Sequence, residues 1–208
     1  MYKEYLSAFG IFLTFVAYIP YIRSILKGKI KPHVISWAIW GITTVIVFLA
    51  QLSDNGGVGA WVIGVSGTLV TGIAVLAYIK KSDSSISKID WFFLFVAMAA
   101  LFSWYFTSNA LSAVVILTFV NVVGFAPTIR KSYKDPFSED IVFFIILIPR
   151  NLIAIVALEH YSVTTVFFPA VTAVACLTLV GLVTYRRKVL KLLYIKSMPN
   201  KAMKSDSA

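Results

Sequence analysis

The chain has 208 residues, of which 59% are apolar and only 13% charged, and its mean hydropathy is +0.86. That composition leaves too little polar surface to cover a soluble globule of this size, so a polytopic membrane protein is expected. The formal charge of +10, from 19 Lys and Arg against 9 Asp and Glu, is explained by membrane topology and requires no nucleic acid partner.

A hydrocarbon core roughly 30 Å thick needs about 20 apolar residues per helix, and seven such runs follow one another along the chain. The first, Leu6 to Leu26, ends in "YIPYIR" around Pro20 and has no small-residue cleavage site, so it reads as a retained span. The second, Val34 to Gln51, contains "SWAIWG", which places Ser36 and Trp40 on one helical face, with Trp37 as an interface anchor. In the third, Val58 to Ile79, Ala60, Gly64, Gly67, Thr68 and Thr71 form a small-residue stripe that predicts close packing within its own bundle. The fourth, Ile89 to Phe106, is separated from the fifth, Ala110 to Ile129, by a short break only. Asn121 and Pro127 lie in the fifth run, and Pro149, Arg150 and Asn151 in the sixth, Ile141 to Leu158. The seventh, Tyr161 to Tyr185, holds Cys176, the sole cysteine, which excludes an intramolecular disulfide and reads as a small packing residue. Beyond it "RRKVLKLLYIK" (Arg186 to Lys196) fits a juxtamembrane interfacial helix drawn to anionic lipid.

Charge placement tests the count. With seven spans, seventeen of the nineteen basic residues fall on one side, only Lys3 falls on the other, and Arg150 lies inside a span. The positive-inside rule then puts the N-terminus outside and the C-terminus in the cytoplasm. Omitting the fourth span would move Arg130, Lys131 and Lys134 across and spoil the segregation. A plasma membrane or a bacterial inner membrane is the expected location.

The chain is also internally duplicated. "YIPYIR" (Tyr18 to Arg23) returns as "FAPTIR" (Phe125 to Arg130), and "AYIKK" (Ala77 to Lys81) as "TYRRK" (Thr184 to Lys188), both at an offset of 107 residues. Spans one to three and five to seven are the copies and the fourth is a linker, a 3+1+3 arrangement. The expected fold is all-α: two parallel triple-helix bundles joined by a linker helix, because one extra crossing makes the copies parallel. The divisions are 1–81, first repeat; 82–108, linker; 109–188, second repeat; and 189–208, basic tail.

This pattern resembles the SWEET and PQ-loop superfamily, whose members carry a proline near the cytoplasmic end of the first helix of each triple-helix bundle. Pro20 and Pro127 match that position, each followed three residues later by an arginine, while Tyr21 and Thr128 replace the family's glutamine. The resemblance implies a carrier that works by alternating access, with Pro20 and Pro127 as hinges. Against this stands the plainer role of ending helices at the interface. Pro149 is an additional hinge candidate without a partner proline in the first copy. Ser36 and Trp40 look like the small residue and the tryptophan that line the family's sugar pocket. Their counterparts in the second copy lack the tryptophan, and the family's third-helix asparagines find no match.

Arg150 is the costliest residue to place, since a guanidinium facing lipid at mid-span costs about 2.5–3.5 kcal/mol even on insertion scales. With no acidic residue at mid-depth in any run, it suits a bound carboxylate or phosphate. The alternative is donation to backbone carbonyls near Pro149. Asn121 and Asn151 are candidates to hydrogen-bond a solute or to join helices, and with about 100° between neighbours only one of Arg150 and Asn151 is expected to face a path. His33 and His160 lie at opposite ends of spans and cannot share a metal.

No cofactor, metal or catalytic constellation is expected. The last span has no lysine for a retinal Schiff base, and channel-like filter loops are missing. The reading is a transporter of a small polar, anionic solute, in contact with anionic lipid and compatible with homo-oligomer formation. A ligand receptor of the same fold and an accessory membrane subunit are the alternatives.

Overall fold

The computed structural model describes residues 2–29, 32, 34–80, 88–107, 109–125, 129, 132–133, 136–137 and 140–197. Pro127, half of the hinge pair expected from the duplication, lies outside the described residues, as do residues 198–208 of the tail. Among the described residues the protein is all-helical. The helices are α1 (Tyr2–Leu26), α2 (Val34–Ser53), α3 (Ala60–Ile79, preceded by a 3-10 turn at Gly57–Gly59), α4 (Lys88–Thr107), α5 (Ala110–Val123), α6 (Ile141–Val156) and α7 (Val163–Ser197).

Each of these helices overlaps one of the seven apolar runs, and among the described residues four spans, in α1, α2, α3 and α7, are long and apolar enough to cross a membrane. By length and composition they fit a membrane protein. By contrast α5 and α6 are apolar but short, at 14 and 16 residues, or about 21 and 24 Å at 1.5 Å per residue. The fifth run was expected to continue to Ile129; regular helix ends at Val123 with Gly124 as its C-cap, three residues before Pro127. Both helices start at side-chain caps: Asn109 accepts from Ser112 N at 3.2 Å, and Asp140 from Val142 N at 3.1 Å. The last helix departs the other way. It runs unbroken for 35 residues, about 52 Å, so the basic stretch after Tyr185 continues α7 instead of forming a separate interfacial helix.

Helix neighbours repeat between the two halves of the chain. Helix α3 packs against both α1 and α2, and α7 packs against both α5 and α6. Across the halves α1 lies against α6, and α2 against α5, while α4 touches α5 and α2. The small-residue stripe of α3 serves close packing within its own half, as expected: a Cβ at Gly64 would meet the Phe48 ring at 2.8 Å, and one at Gly67 would meet Val45 Cγ2 at 3.0 Å, both on α2.

Two apolar clusters fill the interior. One gathers Tyr18, Trp37, Ile73, Phe125, Phe143, Leu147 and Leu179, and the other Ile46, Val62, Ile63, Val114, Leu117 and Phe168. Trp37, expected as an interface anchor, is 6% exposed and packs with Tyr21 at 5.1 Å and Trp40 at 5.6 Å. Its helix turns that face toward α1, so the ring is used in the core.

At the end that carries the start of α1 the halves are joined by polar bonds. Lys3 Nζ donates to the Leu158 carbonyl at 2.6 Å, Gln51 Nε2 to the Thr165 carbonyl at 2.6 Å, and Glu159 N to the Gly56 carbonyl at 3.1 Å. Ser162 and Thr165 cap α7 reciprocally, Thr165 N donating to Ser162 Oγ at 3.2 Å and Ser162 N to Thr165 Oγ1 at 3.0 Å. Ser162 Oγ in turn donates to the Asp54 carboxylate. Replacing Asp54 with Ala removes that acceptor from the α7 cap and is expected to cost about 1–2 kcal/mol of stability. Thermal unfolding checks this, and an unchanged midpoint would show the contact to be idle.

Candidate functional site

Between the two apolar clusters lies a layer of polar side chains, buried on α1, α2, α3, α5 and α6 and half-buried on α7. On α1, Thr14 separates Ile11 of one cluster from Ala17 and Tyr18 of the other. On α2, Thr43 and Thr44 stand between Trp37 and Ile46, and on α3, Ser66 stands between Ile63 and Val70. Asn121 of α5 lies between Leu117 and Phe125, Arg150 and Asn151 of α6 between Leu147 and Ala154, and Thr172 of α7 between Phe168 and Cys176. The 107-residue offset relates Thr14 to Asn121, Thr43 to Arg150 and Thr44 to Asn151. Only one member of these pairs is charged.

Arg150 is the centre of the layer, 3% exposed. Its Nε donates to Thr14 Oγ1 at 3.1 Å, one terminal nitrogen to Asn151 Oδ1 at 2.9 Å, and the other to the Val62 carbonyl at 2.5 Å. Thr14 Oγ1 can accept because its own proton goes to the Gly10 carbonyl at 2.8 Å. Gly10 lets α1 approach closely at this level, since a Cβ there would meet Val62 at 3.0 Å. The guanidinium thus ties α6 to α1 and α3, in the other half of the chain, through neutral oxygens. Among the described residues no carboxylate pairs with it, so its charge is uncompensated, and two of its five N–H groups remain beyond these three bonds.

Asn151, fully buried, turns its amide back along α6 to the Leu147 carbonyl at 2.7 Å and accepts from Arg150. It positions the guanidinium, and both side chains lie in the interior even though neighbours on a helix diverge by about 100°. Tyr18 extends the layer, its hydroxyl 3.1 Å from Ser66 Oγ.

The other candidates are distributed differently. Asn121, 5% exposed, has its amide nitrogen 3.5 Å from Thr172 Oγ1, a contact within the second half. Trp40 lies one turn from Thr43, packs on Phe125 with ring centroids 5.7 Å apart, and leaves its buried indole nitrogen without an acceptor among the described residues. Ser36 is half-buried in the first turn of α2, seven residues from Thr43 and therefore about 10 Å along the axis from the polar layer. It is not brought together with Arg150. Pro20 sits on the exposed face of an unbroken α1, where Ser24 Oγ donates to its carbonyl at 3.0 Å. Pro149 is likewise exposed within α6.

Sequence reasoning missed Thr14, Ser66 and the Val62 carbonyl. Pairing positions by the 107-residue offset identifies Thr14 through Asn121. The Val62 carbonyl has no such signal, because its role depends on how α3 meets α6.

Comparison of the chain with family models, with curated proteins and with solved structures found no match.

Proposed function

We propose that the chain is a SWEET-like membrane carrier in which two parallel triple-helix bundles, joined by α4 as linker, move a small anionic solute by alternating access. The single observation that carries this reading is the polar layer. Six helices from both halves present polar groups midway between two apolar clusters, with one uncompensated cation among them. Such a layer is where a carrier holds its solute, and apolar packing on either side supplies two gates.

The repeated neighbour order supports the 3+1+3 arrangement: the contact of α1 with α6 is the counterpart of that of α5 with α2, and α4 has no counterpart. Arg150 would bind a carboxylate or phosphate oxygen through its remaining N–H groups. Trp40, one turn away, would cover the apolar part of the solute, and Asn121 would hydrogen-bond its polar part. The charge segregation of the sequence supports an outside N-terminus and a cytoplasmic C-terminus.

Uptake into liposomes tests the reading. Carboxylates, amino acids, nucleosides, sugars and vitamin precursors are first screened for thermal stabilisation of the purified protein, and those that stabilise are then offered as radiolabelled solutes. Accumulation that depends on Arg150 supports the carrier. Stabilisation without flux would assign a ligand receptor instead, and stabilisation by neutral solutes alone would move the site to Trp40. The hinges are tested with Pro20→Ala and Pro127→Ala combined, for which the expected result is loss of uptake with binding retained; unchanged uptake removes both from the mechanism.

A further inference from the structure

Where α7 leaves its apolar span, two arginines are held in place by the α5–α6 connection. Arg186 Nε donates to the Tyr133 carbonyl at 3.0 Å, and its guanidinium carbon lies 4.3 Å from the centroid of the Tyr133 ring. Arg187 Nε donates to the Pro136 carbonyl at 2.9 Å, with its guanidinium 5.2 Å from the Phe137 ring. For Arg186 this arrangement occupies one N–H and one face, and leaves both terminal nitrogens for an outside acceptor. At about 100° per residue, Lys188 and Lys191 lie about 160° and about 140° round α7 from Arg186, so the fork of Arg186 stands apart from them.

The surroundings indicate which acceptor fits. Tyr133 and Phe137 are 53% and 67% exposed, and Tyr185, the residue before Arg186, is 65% exposed. Exposed aromatic rings at the end of an apolar span lie at headgroup level. Residues 186–191 of α7 contain four Lys and Arg and no Asp or Glu. A pre-oriented guanidinium fork matches phosphate oxygens in a way that a flexible lysine does not.

We propose that Arg186 binds the phosphate headgroup of an anionic phospholipid in the leaflet at the C-terminal end of α7, and that the bound lipid steadies the contact of Tyr133 with α7. The inference rests on the membrane embedding alone and is independent of the solute proposed above. It differs from general attraction of a basic tail to the surface, because it assigns the site to a side chain fixed by Tyr133.

The test uses the full chain in nanodiscs of phosphatidylcholine containing increasing fractions of phosphatidylglycerol, with thermal unfolding as the readout. The wild-type midpoint is expected to rise and saturate with phosphatidylglycerol. Arg186→Gln should need about tenfold more of the anionic lipid for half of the rise, because it loses a charge-assisted hydrogen bond to the phosphate. Lys80→Gln, a basic residue at another helix end, should lose only the smaller share that diffuse attraction contributes. Equal weakening by Lys80→Gln would mean diffuse attraction, and an unaltered Arg186→Gln would mean no site; either overturns the proposal. Inorganic phosphate added to pure phosphatidylcholine nanodiscs should have no effect, and a rise there would overturn the lipid as occupant. If Arg186→Gln fails to fold, Tyr133→Leu keeps every charge and removes the ring that orients the guanidinium. It should weaken the lipid response as well, and an unchanged response would also overturn the proposal.

Discussion

Replacing Arg150 with Gln is expected to abolish stabilisation by anionic solutes while leaving the unliganded protein at least as stable as wild type. The second half of this expectation follows from the partners of the guanidinium. Its three acceptors are neutral, and no carboxylate among the described residues offsets the charge. Burying an ion costs several kcal/mol even after relaxation, and replacing buried ion pairs with apolar residues of similar volume is often neutral or stabilising by about 1–4 kcal/mol. Little is lost in return. Thr14 keeps its bond to the Gly10 carbonyl, the Val62 carbonyl lies inside α3 where the helix ladder supplies a donor, and a Gln amide can donate to Asn151 Oδ1. The wild-type protein, by contrast, should gain about 2.7 kcal/mol with an anionic solute at one hundred times its dissociation constant. Thermal unfolding of both proteins, with and without solute, measures both halves. If the unliganded variant loses several kcal/mol, Arg150 is a structural tie between the halves and the anion site is wrong.

The helices were legible because a membrane span has a simple requirement, a long apolar run between polar breaks, and all seven runs contain a helix. The exceptions have local causes. At α5 the regular helix closes at Val123 with Gly124 as its C-cap although the apolar run continues, so hydropathy overestimates its length. At α7 the polar residues after Tyr185 end the apolar run, yet Arg, Lys and Leu are good helix formers and the helix continues. The polar layer was legible in part. Arg150 and Asn151 are conspicuous as polar residues in an apolar run, whereas Thr14 and Ser66 are ordinary in membrane helices and gain significance only when α1, α3 and α6 are brought together. The position of Trp37 was misjudged for the same reason: a tryptophan near a helix end satisfies both an interface and a core, and only the contact of its ring with Tyr21 and the neighbouring aromatic rings decides between them.

Two glycines of neighbouring elements should respond to the same substitution with opposite signs. Gly59, at the start of α3, has φ of −65°, which any residue adopts, so replacing it with Ala brings no backbone strain. Its difficulty is steric, because the added Cβ would lie 2.5 Å from Leu158 N and 2.6 Å from the Ala157 carbonyl carbon. Those are backbone atoms and cannot rotate away, so the 3-10 turn must separate from the end of α6. That movement also strains the bonds from Lys3 to the Leu158 carbonyl and from Glu159 N to the Gly56 carbonyl, which join the halves at this end. A loss of about 3 kcal/mol is expected, at the upper end of what overpacking costs. Gly72 stands on the exposed face of α3 with nothing within 4 Å of its would-be Cβ. Gly72→Ala should therefore stabilise by about 0.5–1 kcal/mol, the conformational penalty of a mid-helix glycine. Unfolding midpoints of the two variants in the same detergent measure the difference directly. If Gly59→Ala is tolerated as well as Gly72→Ala, the halves do not meet at Gly59 and Leu158, and the alignment of the polar layer between α3 and α6 fails with that contact.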